Sequence, residues 1–147
     1  MRRFLNRGPA LTPTLTTLVS ATVLALAIIS GSDYIAVPEN SVSSLSAIEL
    51  SVPLDLWGAY MIAAAFLAIW GWSMSCWWLV VLAHSMLGGI YVAFGAGSLI
   101  LVFEEDIWYG WRFGATRLCV SVIHFALAKA AWAKWDLARD LKDVGVR

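Results

Sequence analysis

Four long apolar runs constrain this chain more than any other feature. They lie at about residues 11–30, 54–72, 74–103 and 113–135. An α-helix rises ~1.5 Å per residue and bilayer hydrocarbon is ~30 Å thick, so about 20 apolar residues suffice to cross it. The first, second and fourth runs match that length. The third is long enough to tilt or to emerge from the bilayer. Apolar residues follow one another without the alternation of a barrel strand, and each run far exceeds strand length. The pattern predicts an all-α integral membrane protein with four transmembrane helices in an antiparallel bundle.

Those spans and short connections use nearly all 147 residues, leaving no separate soluble catalytic domain. Hydrophobic residues make up 61% and charged residues 14%, against roughly half and a quarter in ordinary soluble domains. The sequence has no P-loop, no HExxH, no GxSxG and no dinucleotide fingerprint. No pair of carboxylates stands out as an acid–base couple. The expectation is therefore a protein that is not an enzyme. No basic stripe points to nucleic acid. Cys76 and Cys119 fall near opposite ends of neighbouring spans, which disfavours a disulfide, and no CxxC suggests zinc or redox chemistry. No internal repeat suggests an inverted-repeat transporter.

Ten basic and ten acidic residues cancel in net charge but segregate along the chain. The N-terminal segment carries Arg2, Arg3 and Arg7 without an acid. The end carries Lys129, Lys134, Arg139, Lys142 and Arg147. The loop at 31–53 carries Asp33, Glu39 and Glu49 and no base, and the next outer loop carries Glu104, Glu105 and Asp106 against Arg112. Basic residues mark cytoplasmic ends, so both termini are expected inside, with 31–53 exported and 136–147 a cytoplasmic tail. A bacterial inner membrane suits this plan. Residues 1–32 also carry parts of a signal peptide, a basic start and small residues Ser30 and Ser32. Their apolar stretch is longer than usual, and no Ala-x-Ala follows it closely.

Nine tryptophans give an independent ruler. Trp57, the cluster Trp70, Trp72, Trp77 and Trp78, the pair Trp108 and Trp111, and the pair Trp132 and Trp135 all fall near expected water–lipid boundaries. From Trp111 to Trp132 is 21 residues, ~32 Å of helix. In the exported loop, residues 44–50 read either as a short surface helix or as a plain connector. In the tail, Leu137, Leu141 and Val144 recur at helical spacing, and Arg139 and Asp143 are placed to pair.

Polar and small residues inside the spans are the candidate functional set. Ser85, Gly89, Ala93 and Gly97 recur every four residues and form a small-residue row suited to close helix packing. His84, Gly88, Tyr91, Gly95 and Ser98 form a second row, so the third span is expected at the centre of the bundle or at the face of an oligomer. On the fourth span, Arg117, Ser121, His124, Ala128 and Ala131 share a face. Arg117 lies ~9 Å inward of Trp111 and is expected to anchor to Glu104, Glu105 and Asp106 or to line a polar path. His84 lies ~9 Å from Trp78 and His124 ~12 Å from Trp132, so the two imidazoles sit at similar depth in antiparallel neighbours. Their alternatives are bonds to a neighbour's backbone or hydroxyl, a proton or ion path, and haem or metal ligation. No Cys, Asp or Glu lies at that depth to complete a metal site, and no cofactor is expected.

The start Met1-Arg2-Arg3, the Trp-flanked spans and the charged tail from Lys134 to Arg147 resemble the small multi-span membrane proteins of bacteriophages, especially those encoded near lysis genes. That resemblance implies an oligomerising inner-membrane protein, holin-like or lysis-accessory, with lipid and copies of itself as partners. Holins in that group open the membrane, and many have fewer spans; no functional residue carries over. The alternatives are a small transporter or ion-conducting component, a haem-bearing anchor, and a structural or exclusion protein.

Overall fold

The computed structural model describes residues 13–36, 48–105 and 111–143. They form four α-helices, α1 (Pro13–Ala36), α2 (Leu54–Ser73), α3 (Trp77–Glu105) and α4 (Trp111–Asp143), and a 3-10 turn at Glu49–Ser51. All four helices are long and apolar enough to cross a membrane. Leu18, Ile29, Phe66, Phe103, Phe113 and Val122 are each more than half exposed. An apolar girdle of that kind suits lipid and would be an aggregation hazard in water. The architecture is compatible with a multi-pass membrane protein.

Consecutive helices run antiparallel. Gly31, late in α1, meets Gly58, early in α2. Gly71, late in α2, meets Leu79 and Val80 at the start of α3. Gly95, late in α3, meets Gly114 at the start of α4. The α3–α4 contact is the most extensive, whereas α1 and α4 meet only sparsely. Of the four, α3 is the most buried, as its two rows of small residues predict. Leu24 and Ala27 of α1, Met61, Ala64, Ala65 and Ala68 of α2, and Ala83, Leu87, Ile90 and Phe94 of α3 form the main core. Alanines on α2 let α1 and α3 close on it from either side.

Several boundaries differ from the sequence reading, for local reasons. The first helix continues past Ser30 to Ala36. Its extra turns are held inward by Gly31 against Gly58 and by Tyr34, which donates to Glu49. The third begins at Trp77 rather than near Met74. Between them Cys76 N–H donates to the Gly71 carbonyl (2.7 Å), Ser75 N–H donates to the Trp72 carbonyl (3.1 Å), and Ser75 takes a left-handed φ of 53°. The fourth runs unbroken to Asp143, so the tail segment extends the span, with Leu137 and Leu141 exposed on it. Trp57 does not join an outward belt: its ring packs edge-on to Phe94, with centroids 5.0 Å apart. Most of the proposed surface helix at 44–50, Trp108, Asp106, Val144 and the N-terminal arginines lie outside the described residues.

The small-residue row needs a correction. Within the chain, Gly97 is buried and Ser85 and Ala93 are partly buried. Gly89, however, is exposed, and a Cβ placed on it meets nothing within 4 Å. The close crossings use other glycines. At Gly31 a Cβ would stand 2.7 Å from the Gly58 carbonyl oxygen and 2.8 Å from Ile62 Cγ1, and at Gly58 it would press into the Gly31 carbonyl oxygen. At Gly95 it would stand 2.9 Å from Leu118 Cγ and 3.0 Å from the Gly114 carbonyl oxygen. Helices separated by lipid gain no hydrophobic drive from meeting, so this backbone proximity carries the association. Gly31→Ala or Gly95→Ala is expected to cost about 1–3 kcal/mol through overpacking, and Gly89→Ala to stay within roughly 0.5 kcal/mol. Unfolding in mixed micelles measures both.

Candidate functional site

The polar groups of the interior are arranged as a column. At one level His84 of α3 and His124 of α4 face each other. Neither has exposed surface. Their Nδ1 atoms are 2.9 Å apart, a direct hydrogen bond between the rings. His84 Nε2 lies 3.0 Å from Ser20 Oγ of α1, itself buried. The equal depth expected from sequence is therefore a direct contact, and it joins three helices. Tyr91, two turns along α3, stacks on His124 with ring centroids 5.5 Å apart and planes 12° from parallel. The buried Nε2 of His124 has no hydrogen-bond partner among the described residues, and the Tyr91 hydroxyl faces Ser30 of α1. An unmet nitrogen at that position is unusual, because an unmet buried polar group costs about 1–3 kcal/mol.

At the other level Arg117 of α4 turns into the bundle. The sequence reading offered Glu104, Glu105 and Asp106 as its partners; the structure gives it Glu49 instead. Glu104 is exposed, and the side chain of Glu105 and all of Asp106 lie outside the described residues. Arg117 Nη2 donates to Glu49 Oε1 (2.8 Å) and Nη1 to Glu49 Oε2 (3.0 Å), a two-pronged ion pair. Nη1 also donates to Ser98 Oγ (2.8 Å), Nη2 to Tyr34 Oη (3.3 Å), and the guanidinium lies over the Phe94 ring. The Tyr34 hydroxyl donates to Glu49. Arg117 faces inward because it shares a helix face with Ser121 and His124, both buried, whereas the acidic run sits at the end of the neighbouring helix. Ser121 is on the column's face but not in it: its hydroxyl donates to the Leu118 carbonyl of its own helix (2.7 Å).

Two cavities flank the histidine level. One, the inner cavity on the orientation expected from sequence, has about 430 Å³ and is lined by Thr16, Ser20, Ser73, Trp77, His84 and Lys134, among others. Lys134 Nζ sits over the Trp77 ring at 4.4 Å. The other, the outer cavity on the same expectation, has about 170 Å³ and is lined by Ser30, Tyr34, Tyr91, Thr116 and Arg117, with apolar neighbours. From Trp77 to Ser98 is 21 residues of α3, ~32 Å, about one hydrocarbon thickness. Polar groups and cavities thus run along the length of a span, with the imidazole pair between them.

The arrangement does not fit a haem shared by the two histidines. Opposite ligands of one metal ion stand about 4 Å apart, given metal–nitrogen bonds of ~2 Å, and a macrocycle must fit between. Here the Nδ1 atoms bond directly at 2.9 Å. Among the described residues no three His, Cys, Asp or Glu side chains gather to hold a metal ion. The chain matches no protein-family model, and no curated protein or solved structure is significantly similar to it.

Each imidazole satisfies the other, so neither histidine is replaceable alone without leaving a buried nitrogen unmet. A double-mutant cycle of His84→Phe and His124→Phe, read by unfolding in mixed micelles, is expected to give a coupling energy of about 1 kcal/mol. Ser121→Ala is expected to couple to neither.

Proposed function

We propose that the chain is a multi-pass membrane protein that conducts protons, a small transport or ion-conducting component, with the His84–His124 pair as its relay. The observation that carries this reading is the direct bond between two fully buried imidazoles set between two cavities. Ionisable groups at membrane depth are costly and tend to mark ion or proton pathways.

The relay follows from the tautomers. In one state His84 carries its proton on Nδ1 and donates to the bare Nδ1 of His124, which is then protonated at Nε2. A proton from the inner cavity, passed through Ser20 or water, binds His84 Nε2. His84 then gives its Nδ1 proton to His124, and His124 releases its Nε2 proton toward the Tyr91 side. Each ring has gained one proton and lost one. The pair is left in the opposite tautomer and must reset before a second proton follows in the same direction. It is therefore a gated single-proton element and not an open pore. The cavity beside Tyr91 is roomy and polar enough to hold the water that would take up the proton.

The same reading places both termini in the cytoplasm. Lys134 and Arg139 stand at the inner-cavity end of the column, and Glu49, Asp33 and Asp55 at the other, in accord with the positive-inside bias. It also retains α1 as a permanent span, since α1 supplies Ser20 and Tyr34 to the column.

A second reading is favoured by exposed Gly89, with partly buried Ser85 and Ala93 beside it. A small outward face suits contact with another copy of the chain. It would support the oligomeric, holin-like or lysis-accessory role that the resemblance implies.

Proteoliposomes with an internal pH dye and an imposed potassium-diffusion potential test the relay. Wild-type protein is expected to acidify or alkalinise the lumen with the sign of the potential. His124→Ala is expected to lower the rate on the order of 10²-fold, the usual scale for a lost proton-transfer group, and Ser121→Ala to leave it unchanged. Wild-type flux no faster than protein-free vesicles, or full flux in His124→Ala, would overturn the reading. Membrane leakage that Gly89→Leu abolishes, and that His124→Ala does not, would support the holin-like one.

A further inference from the structure

The larger cavity has a direction. Among its lining residues Ser73, Ser75 and Lys134 are exposed, whereas Ser20 and His84 are buried. Its open end is therefore polar and cationic, and its closed end is the Ser20–His84 bond. Residues of both α1 and α4 line it, so it occupies the gap where those two helices meet only sparsely. Its wall on α4 is Leu127, Ala130, Ala131 and Lys134, one helix face, and the two alanines leave the room. Its volume of about 430 Å³ falls within the ~300–1,000 Å³ of ligand-binding clefts.

Charge decides what such a cleft takes. Among the described residues Lys134 is its one cation, and no acid lines it. A neighbouring cavity of about 200 Å³ shares Ser75 and Trp77 with it and carries Arg139, again without an acid among the described residues. Asp136 and Asp140 of the same helix line neither. Each cation rests on an indole, Lys134 Nζ at 4.4 Å from the Trp77 ring and the Arg139 guanidinium at 5.7 Å from that of Trp135. A ring face steadies a cation without neutralising it. The ammonium keeps donors to offer an anion, and Ser75 sets a hydroxyl in the same wall. Tryptophan and lysine together are the residues that anchor a helix at headgroup level, and basic pockets between membrane helices suit anionic headgroups. A choline group would meet Lys134 already seated on the Trp77 face, so a headgroup whose only charge is its phosphate is preferred.

We propose that Lys134 and Ser75, with the cavity between α1 and α4, form a binding site for a phosphate group of net negative charge, as on an anionic phospholipid. The lipid as its source rests on the chain spanning a membrane; nothing in the site rests on the proton relay.

The test reads occupancy at Lys134 itself. Full-length protein is placed in bilayers of phosphatidylcholine alone, or with one third phosphatidylglycerol. Acylation of its lysines by a small uncharged amine-reactive ester is followed by peptide mass spectrometry. Lys129 is the internal standard, being exposed on the same helix and lining neither cavity. Phosphatidylglycerol is expected to slow Lys134 about fivefold or more relative to Lys129, the scale of one basic side chain held by anionic lipid. Ala130→Leu fills the cavity and keeps every charge, and is expected to abolish that protection. Inorganic phosphate, against chloride at the same ionic strength, is added to the phosphatidylcholine bilayers. Protection by phosphatidylglycerol alone assigns a lipid headgroup, and protection by inorganic phosphate a free anion. Protection by neither would overturn the proposal, as would protection that survives Ala130→Leu, which would be a general attraction to a charged surface. If Ala130→Leu does not assemble, Ser73→Leu narrows the opening at an exposed position and is expected to act in the same way; protection that survives it would overturn the site. Flotation of the protein with the bilayers, read on the same samples, separates failure of the membrane reading from failure of the site.

Discussion

Two imidazoles with no contact to solvent must satisfy each other, and much of the bundle is arranged so that they can. The His84–His124 bond requires α3 and α4 to hold a fixed register and Ser20 of α1 to reach the far nitrogen of His84. In an apolar surrounding an unmet ring nitrogen is expensive. The hydrogen bond therefore specifies which helices are neighbours and at what height, a role that interchangeable apolar contacts cannot fill. The stack of Tyr91 on His124 fixes the plane of one ring in turn.

Backbone proximity makes this register possible. Where α3 and α4 cross, Gly95 and Gly114 bring main chain against main chain, and Gly31 and Gly58 do so for α1 and α2. These crossings lie nearer the Arg117 end of the bundle than the histidine end. They bring Tyr34 and Arg117 within reach of the Glu49 carboxylate, with Ser98 accepting a hydrogen bond from Arg117. The result is a bundle with an apolar outside and two polar levels inside, the inverse of a soluble protein's pattern.

The sequence carries the four helices legibly because a bilayer demands uninterrupted apolar length, and the histidines' shared depth because tryptophans mark the boundaries from which depth is counted. The inward face of α4 was legible too: Arg117, Ser121, His124, Ala128 and Ala131 recur at helical spacing, and all but the half-buried Arg117 are buried. Glu49 was not legible. As one of several acids in a connecting loop it looks like any solvated charge, and its partner Arg117 lies 68 positions away. The nearer acids at 104–106 were the natural expectation for Arg117, and only the packing of the 3-10 turn against the helices reverses it. Gly89 shows the converse failure. Spacing alone cannot say which of two small rows meets a helix of the same chain, and here Gly88 and Gly95 of the second row close on α4.

The central claim is that His84 and His124 share one hydrogen bond inside the bundle. Solid-state magnetic resonance of the protein in lipid bilayers, with ¹⁵N in its histidine rings, measures this directly. The account predicts a correlation between the Nδ1 atoms of the two residues through the bond, with one Nδ1 protonated and the other bare. Two rings with bare Nδ1 atoms and no correlation between them would contradict it.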